Sequence, residues 1–483
     1  MSIDEAPTTA TATATLSAGP LTTDAAAPAH RPTTMITFRP GRWIDGWDAE
    51  DVPFWNRQGR AIARTNLRWS VLCEFLGFVV WQLWSVVAVQ LPAAGFDVTS
   101  AQIFWLISMP SLVGATLRIP YTFMVPLLGG RNWTVISCLL LLLPTAGLAV
   151  AVADPGTSFG ALLALAGLAG FGGGNFASSM ANITYFYPKR EKGYALGLNA
   201  AGGNLGAAVA QLVVPVVITA GAALTLNLPL AGLVWIPLIL LAAWGAGRKM
   251  HNLSHARGDL AGSLAALREP HLWVMAFLYI GTFGSFIGFS AVFPKLIGDV
   301  FPEFSSFAVG GAALSLAFLG PLVGSLTRPW GGKVADRFGG ARMTVLALAV
   351  MALVAMAVAV VLTLGVTSFW LFLVLFLALF TASGFGNGAA YTMIPTIFAV
   401  RGRRLGGVAG VSSERTASAA LGLVSAIGAY GGFVVPQVLS ASITATGGYH
   451  TAFYGFVGVY VLMLAVAWLC YLRPGSELAR AGV

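Results

Sequence analysis

The stretches "TLRIPYTFMVPLLGG" (residues 116–130) and "LTRPWGGKVADRFGG" (residues 326–340) each place one arginine ahead of a Gly-Gly pair. The first glycine follows the arginine by 11 positions in both, from Arg118 to Gly129 and from Arg328 to Gly339. This equal spacing predicts an internal repeat in which the two arginines occupy equivalent positions of two halves.

Two further pairs of segments extend the repeat in the same order. The segment "GFGGGNFASSM" (170–180) matches "GFGNGAAYTMI" (384–394), and "ALGLNAAGGNLG" (195–206) matches "ALGLVSAIGAYG" (420–431). Glycine-rich apolar helices of this kind pack closely in membranes. The three ordered matches predict two parallel halves that enclose a substrate site near the bilayer midplane.

The composition predicts a membrane protein. Of the 483 residues, 57% are hydrophobic and only 9% are charged, which is too little charge for the surface of a soluble protein. Apolar windows of about 20 residues, the length that crosses a bilayer core, recur along the chain. We therefore predict an all-α membrane protein of twelve transmembrane helices in two pseudo-symmetric six-helix halves. The predicted spans are 70–92, 103–127, 132–153, 157–187, 193–219, 222–247, 271–296, 306–330, 343–365, 368–399, 415–438 and 449–472.

The distribution of positive charge predicts the topology. Most of the 27 Lys and Arg residues fall in alternate loops and the tails, which places both termini in the cytoplasm of a plasma-membrane protein. The formal charge of +9 is thereby explained without nucleic acid. The predicted segments are a disordered cytoplasmic tail (1–50), an amphipathic membrane-surface segment (51–69), the N-terminal half (70–247), a cytoplasmic linker (248–270), the C-terminal half (271–472) and a cytoplasmic C-terminal tail (473–483).

Two arginines inside the membrane predict an anion site. Arginine does not lose its proton in proteins, and placing one at mid-membrane costs about 3 kcal/mol on insertion scales. An anion bound between Arg118 and Arg328 relieves their repulsion, and the planar guanidinium suits a planar oxyanion such as carboxylate or nitrate. The alternative is an internal carboxylate partner for each arginine, but Glu74 is the one clear interior candidate.

Several motifs resemble the nitrate/nitrite porter family of the major facilitator superfamily. They are "TLRIPYTF", "GGGNFASSMANITYFYPK" and "GYALGLNAAGGNLG", with "GGKVADRFGGAR" resembling the signature loop of the superfamily. The resemblance covers nearly the whole chain from about residue 51. It implies a transporter without a cofactor or metal, acting on nitrate and nitrite in the lipid bilayer as a monomer.

The resemblance also implies which residues contact the anion. Arg118 and Arg328 are the clamp, and Asn204 is a polar contact. The implied aromatic walls are Phe78, Phe176, Tyr279 and Tyr391, with Phe283 and Ser425 as secondary candidates. Two positions depart from the family pattern, because Tyr391 stands where members can carry Phe and Glu74 stands where an apolar residue is expected.

The sequence leaves the coupling mode open between exchange and proton symport. Nitrate and arginine do not titrate near neutral pH, and the five histidines all fall in tails, loops or span ends, which favours nitrate/nitrite antiport. Glu74 is the counter-argument, because it lies one turn from Phe78 and is a potential proton site. A packing hydrogen bond or a salt bridge is the structural alternative for this carboxyl.

Other classes of function have weaker support. No Walker lysine, metal-spaced Cys/His set or nucleophile triad is present, so an enzyme is not predicted. A porter for formate or oxalate would use the same arginine fork, and a non-transporting sensor would use the same site.

Overall fold

The computed structural model describes residues 35–220, 226–256, 266–365, 367–404 and 410–480, with the side chains at 399, 402–404, 410–419 and 477 excluded. Residues 1–34 of the predicted disordered tail therefore lie outside the described part. The described chain is mostly helical, with two small β-sheets at the ends of the helices.

The N-terminal half contains six membrane-length helices. They are α1 (Val52–Gln90), α2 (Ser100–Leu128), α3 (Gly130–Ala151), α4 (Phe159–Phe186), α5 (Lys189–Thr219) and α6 (Leu230–Lys249). Two of them contain breaks, α3 at Leu141 and α6 at Val234 and Trp235.

The C-terminal half repeats this order. Its helices are α7 (Pro270–Val300), α8 (Leu319–Phe338), α9 (Gly340–Thr363), α10 (Phe369–Arg404), α11 (Ala420–Thr446) and α12 (His450–Leu472). By length and apolarity, eleven of the helices in the described ranges qualify as membrane spans. Helix α8 falls outside that set because its 20 residues include four charged side chains, one of them Arg328.

The two arginine-bearing helices end in the same way. Helix α2 begins with a capping box, in which the Thr99 hydroxyl accepts from the Gln102 N–H at 3.2 Å and the Gln102 side chain accepts from the Thr99 N–H at 2.9 Å. It ends at Gly129 with φ +89°, and α8 ends at Gly339 with φ +96°. Positive φ is readily adopted only by glycine, so both Gly-Gly pairs turn the chain into the next helix.

Equivalent glycines also bring equivalent helices together. A Cβ on Gly170 of α4 would lie 2.7 Å from the backbone nitrogen of Gly114 of α2, and one on Gly384 of α10 would lie 2.1 Å from the carbonyl oxygen of Gly324 of α8. Both glycine pairs lie about one turn from the arginine of their half. The internal repeat is therefore present in the packing as well as in the sequence.

In the described chain, three helix pairs supply most of the contact between the halves. Helix α1 packs on α7, α2 packs on α11, and α5 packs on α8. In the internal repeat α2 corresponds to α8 and α5 corresponds to α11. The α2–α11 contact and the α8–α5 contact are therefore equivalent. The arginines consequently approach the same interface from opposite halves.

The predicted span 306–330 is wrong in its bounds. Residues 307–314 form a hairpin of β4 (Phe307–Val309) and β5 (Ala312–Leu314), and the helix begins only at Leu319. Gly310 and Gly311 both have positive φ, which suits a tight hairpin turn and not a helix. We attribute the error to hydropathy, because the hairpin is apolar enough to resemble the start of a span.

The predicted tail also needs correction for residues 37–45. Strands β1 (Thr37–Arg39) and β2 (Trp43–Asp45) form a sheet with β3 (Asn252–Leu253) of the linker between the halves. The Asn252 side-chain oxygen accepts from the Arg131 N–H at 2.9 Å, at the start of α3. We call residues 37–55 the N-terminal brace, because they join the linker to the helix ends on this face.

The brace extends into the segment predicted to lie on the membrane surface. Phe54 and Trp55 are completely buried, and Trp55 donates a 2.9 Å hydrogen bond to Glu191 at the start of α5. The helix then continues through residue 69 into the first span without a break. Residues 51–69 are thus the protein-packed beginning of α1 and not a separate surface helix.

Candidate functional site

The two predicted clamp residues lie buried between the halves. Arg118 on α2 is 0% exposed and Arg328 on α8 is 6% exposed. In the described part of the chain, neither guanidinium forms an ion pair. Burying a charge without a counter-charge is costly, so this arrangement requires another source of stabilisation.

Arg118 is held by oxygen atoms from both halves. Its Nε donates to the Gly173 carbonyl at 3.1 Å, and its Nη1 donates to the carbonyl and the hydroxyl oxygen of Ser425, each at 2.8 Å. Ser425 lies on α11, so the two bonds to it cross the interface between the halves. The Nη2 atom is buried and has no partner among the described residues.

Arg328 is held more loosely. Its Nη2 donates to the Tyr279 hydroxyl at 3.4 Å, a distance at the long end for such a bond. Its Nη1 is buried and lacks a partner in the described ranges. Each arginine therefore keeps one terminal nitrogen with unused N–H donors, which is the requirement for binding an acceptor-only ligand.

Two aromatic rings lie against both guanidinium groups. The Phe176 ring centre is 4.6 Å from Cζ of Arg118 and 5.7 Å from that of Arg328, and the Phe283 distances are 5.1 and 5.9 Å. The rings are stacked at 28° with centroids 6.3 Å apart. Cation–π contacts of this kind stabilise a desolvated charge by about 2 kcal/mol, so the rings partly replace the missing counter-ions.

The tyrosines extend the aromatic wall around Arg328. The Tyr391 ring lies 5.7 Å from Cζ of Arg328 and 6.1 Å from the Tyr279 ring, which stacks on Phe283 at 5.3 Å. Phe78 is one layer further out, with its ring 6.2 Å from that of Phe176. All four predicted wall residues and Phe283 thus belong to one aromatic cluster.

The polar candidates differ in their contacts. Ser425 binds Arg118 directly, whereas Asn204 is 1% exposed with neither side-chain amide atom bonded to any described residue. The Asn204 amide therefore keeps donor and acceptor capacity that no described residue uses.

Sequence reasoning missed Trp81 and Asn175. The Trp81 ring lies 5.6 Å from Cζ of Arg118, and Asn175 is buried with both amide atoms unpartnered in the described part. Asn175 directly precedes Phe176, so the "GGGNF" motif contained the signal. Trp81 had no such signal, because an aromatic residue in an apolar helix is ordinarily a packing residue.

Gly173 explains why the glycine run is needed next to Arg118. A Cβ on Gly173 would lie 2.7 Å from the Trp81 ring, and one on Gly114 would lie 2.9 Å from Trp81 Nε1. The absence of side chains lets the indole and the guanidinium both approach the α4 backbone. The motif therefore shapes the site as well as packing helices.

Glu74 lies in a separate buried polar cluster. Its Oε2 accepts hydrogen bonds from Ser179 and, at 2.6 Å, from Asn199 Nδ2, while Ser179 also contacts the Ser70 hydroxyl at 3.0 Å. It forms no salt bridge with another described residue. The structural alternative of a packing hydrogen bond is thus present, and the salt-bridge alternative is not.

Comparison with known proteins identifies the family. The model of the Major Facilitator Superfamily matches residues 71–413. The chain belongs to the major facilitator superfamily. The nitrate/nitrite transporter NarU of Salmonella typhimurium is 41% identical over 455 residues, covering 89% of this chain and 96% of that relative. The probable nitrate/nitrite antiporter NarK2 of Thermus thermophilus is 36% identical over 461 residues, covering 92% and 99%.

Within the superfamily, this degree of identity places the chain in the nitrate/nitrite porter family, as the sequence resemblance predicts. Solved structures agree on the fold. The inward-open xylose transporter XylE of Escherichia coli has a TM-score of 0.63 at 13% identity, covering 86% of this chain and 99% of that one. A bacterial homologue of the lysosomal transporter Spinster has a TM-score of 0.60 at 18% identity, covering 83% and 95%. The prediction of a major facilitator fold is therefore confirmed, and the protein is a multi-pass membrane transporter.

Proposed function

We propose that this chain exchanges nitrate for nitrite by alternating access, as a monomer in the plasma membrane, with the anion held between Arg118 and Arg328. The observation that carries the proposal is the unused N–H donors on both buried guanidinium groups, which stack against the same two rings. The names of the relatives supply the substrate, since the arginine geometry also suits a small carboxylate.

The aromatic cluster favours a flat anion. A planar oxyanion receives N–H donors in its own plane, so its faces remain for the rings of Phe176 and Phe283. Because these two rings are stacked at 28°, the space beside the guanidinium groups is itself flat-walled. A tetrahedral or spherical ion would leave part of that wall without contact.

Exchange follows from the charge of the empty site. Two unpaired cations repel each other and are poorly solvated when both sides are closed, whereas a bound anion removes one positive charge. The loaded site should therefore pass through the closed intermediate faster than the empty site. Nitrate entering on one side would then require nitrite leaving from the other.

The bonds between the halves support alternating access. Besides those of Arg118, the cross-half side-chain hydrogen bonds found in the described part join Thr116 to Tyr430 (2.9 Å), Gln437 to Ser108 (2.7 Å), Gln211 to the Ser290 carbonyl (2.5 Å) and Thr219 to the Ala313 N–H (2.7 Å). The arginines separate these four bonds from the end of the helix bundle that carries the two termini. We infer that this side is closed and that, with both termini cytoplasmic, it faces outward.

Reconstitution in liposomes tests the proposal. Labelled nitrate should enter vesicles loaded with nitrite and should not enter empty vesicles, whether or not a pH gradient is applied. Uptake into empty vesicles driven by a pH gradient would replace exchange with proton symport. Stronger competition by formate than by nitrite would identify a carboxylate porter instead.

A further inference from the structure

Glu74 is a buried carboxyl that the anion clamp does not use. It is 1% exposed, and its Oε2 is bonded to Ser179 and Asn199. Its Oε1 is buried and has no partner among the described residues. One oxygen is therefore fully engaged while the other has capacity for a proton.

The second oxygen lies against the backbone of α5. A Cβ on Gly203 would lie 2.4 Å from Oε1, and Gly203 immediately precedes Asn204. One turn further along α1, Phe78 contacts Phe176, the ring that both arginines share. Phe78 and Phe176 therefore connect the helix turn that carries Glu74 with the two guanidinium groups.

The charged groups that interact with Glu74 act through space, because this carboxyl forms no ion pair in the described part of the chain. Arg118 of α2 and Arg328 of α8 attract its carboxylate, and Tyr391 of α10 is the other titratable group coupled to it. The groups that bond it from α4 and α5, Ser179 and Asn199, are neutral. Protonation of Glu74 therefore changes the field at the two arginines directly.

The protonation state of Glu74 sets the net charge of the buried site. The buried charged side chains of the described chain are Glu74, Arg118, Arg328 and Lys295, and Lys295 is paired with Asp299 at 2.8 Å. With Glu74 ionised, the site carries one net positive charge, which one monovalent anion neutralises. With Glu74 protonated, the site carries two, so that it attracts the same anion more strongly.

We propose that Glu74 is a proton-binding site coupled to the anion site, so that its protonation strengthens anion binding. By thermodynamic reciprocity, a bound anion then favours protonation of Glu74 to the same degree. Two charges on the order of 10 Å apart, at an effective dielectric constant of about 20, change a binding constant about tenfold. The inference rests on the proposed function, and it leaves exchange intact because nitrate and nitrite carry the same charge.

The test measures nitrate binding to the detergent-purified protein by calorimetry between pH 5.5 and pH 8, in buffers of different ionisation enthalpy. We expect the wild type to bind nitrate about tenfold more tightly at the acid end, with proton uptake on binding. Glu74→Gln should bind tightly at every pH without proton uptake. Glu303→Gln, which alters an exposed carboxyl, is the matched control and should behave as the wild type.

Each outcome decides between the two proposals. Nitrate binding that is independent of pH in the wild type, or pH dependence that persists in Glu74→Gln, would overturn the coupling while leaving the anion clamp in place. Failure of the wild type to bind nitrate at any pH would overturn both. If Glu74→Gln does not fold, Ser179→Ala, which removes a hydrogen-bond donor to the Glu74 carboxylate, is measured instead: the pH midpoint of nitrate binding should move upward, and an unmoved midpoint would overturn the coupling.

Discussion

Replacing Arg328 by lysine separates charge from shape at the anion site. Arg328 makes a single 3.4 Å hydrogen bond to Tyr279 within the described part, and lysine keeps a positive charge beside the same rings, so little structure depends on the planar shape of its guanidinium. Lysine keeps the positive charge but loses the planar fork, and with it one of two parallel N–H bonds to the anion. A hydrogen bond to a charged group contributes about 1.5–3 kcal/mol, which corresponds to about 10- to 100-fold weaker nitrate binding.

The companion variant Arg118→Lys should behave differently. Arg118 donates to the Gly173 carbonyl and twice to Ser425, so lysine leaves buried acceptors unsatisfied as well as weakening the anion site. We expect Arg328→Lys to unfold within about 2 °C of the wild type and Arg118→Lys to unfold at a clearly lower temperature.

The assays are nitrate affinity by calorimetry and thermal unfolding of the purified protein, followed by nitrate/nitrite exchange in liposomes. Arg401→Lys is the control, because it alters an arginine that pairs with Glu269 at 3.1 Å, outside the site. If Arg328→Lys binds nitrate with an affinity within about twofold of the wild type, the clamp is refuted.

Three further predictions concern packing, pH and gating. Gly173→Ala places a Cβ 2.7 Å from the Trp81 ring and should lower the unfolding temperature, through about 1–3 kcal/mol of overpacking, and also weaken nitrate binding. Burial and two neighbouring arginines lower the pKa of His251 to about 4, so the N-terminal brace should lose stability as the pH falls from about 6.5 to about 4, as measured by lower amide protection factors in residues 37–45, that is, exchange rates corrected for the intrinsic rate at each pH. Phe104→Leu removes the ring 5.4 Å from the Lys295 ammonium across the halves and should increase outward opening, as measured by thiol labelling of cysteines introduced on the outer side.

Each of these predictions has a control and a contrary result. Gly197→Ala adds a Cβ with nothing within 4 Å and should be neutral, so equal losses in both glycine variants would contradict the packing argument. The unfolded histidine binds the proton more readily than the folded one, so the brace must weaken as the pH falls; protection factors that do not fall on acidification, or that fall equally in His251→Ala, would contradict it. Unchanged labelling in Phe104→Leu would show that the Phe104–Lys295 contact does not hold the outer side closed.

The arginine helices were predictable because their signals are local. The spacing from Arg118 to Gly129 reflects a helix that must end at a positive-φ residue, and the same is true of Arg328 and Gly339. The bounds of α8 were not predictable from hydropathy, because the hairpin at 307–314 is apolar and the true helix carries four charges.

The brace was missed for a related reason. Its strands are three residues long, and they are stabilised by a partner strand more than 200 residues away in the linker. Arg42 illustrates the dependence, since its Nε donates to the Met250 carbonyl at 2.7 Å. The residue pattern within 37–45 does not predict that contact.

The sequence alone determines the length and apolarity of the helices, the internal repeat and the position of the two arginines. A helix must be long and apolar enough to cross the bilayer, and a charge placed inside it costs free energy unless the protein uses it. Which groups satisfy those arginines is a property of the folded molecule. Arg118 binds Ser425 across 307 positions of sequence, and Trp81 reaches Arg118 only because Gly114 and Gly173 leave room for its ring. The physical reason is that helix formation and membrane insertion depend on neighbouring residues, whereas the donors and rings around a buried charge are set by how separate helices pack.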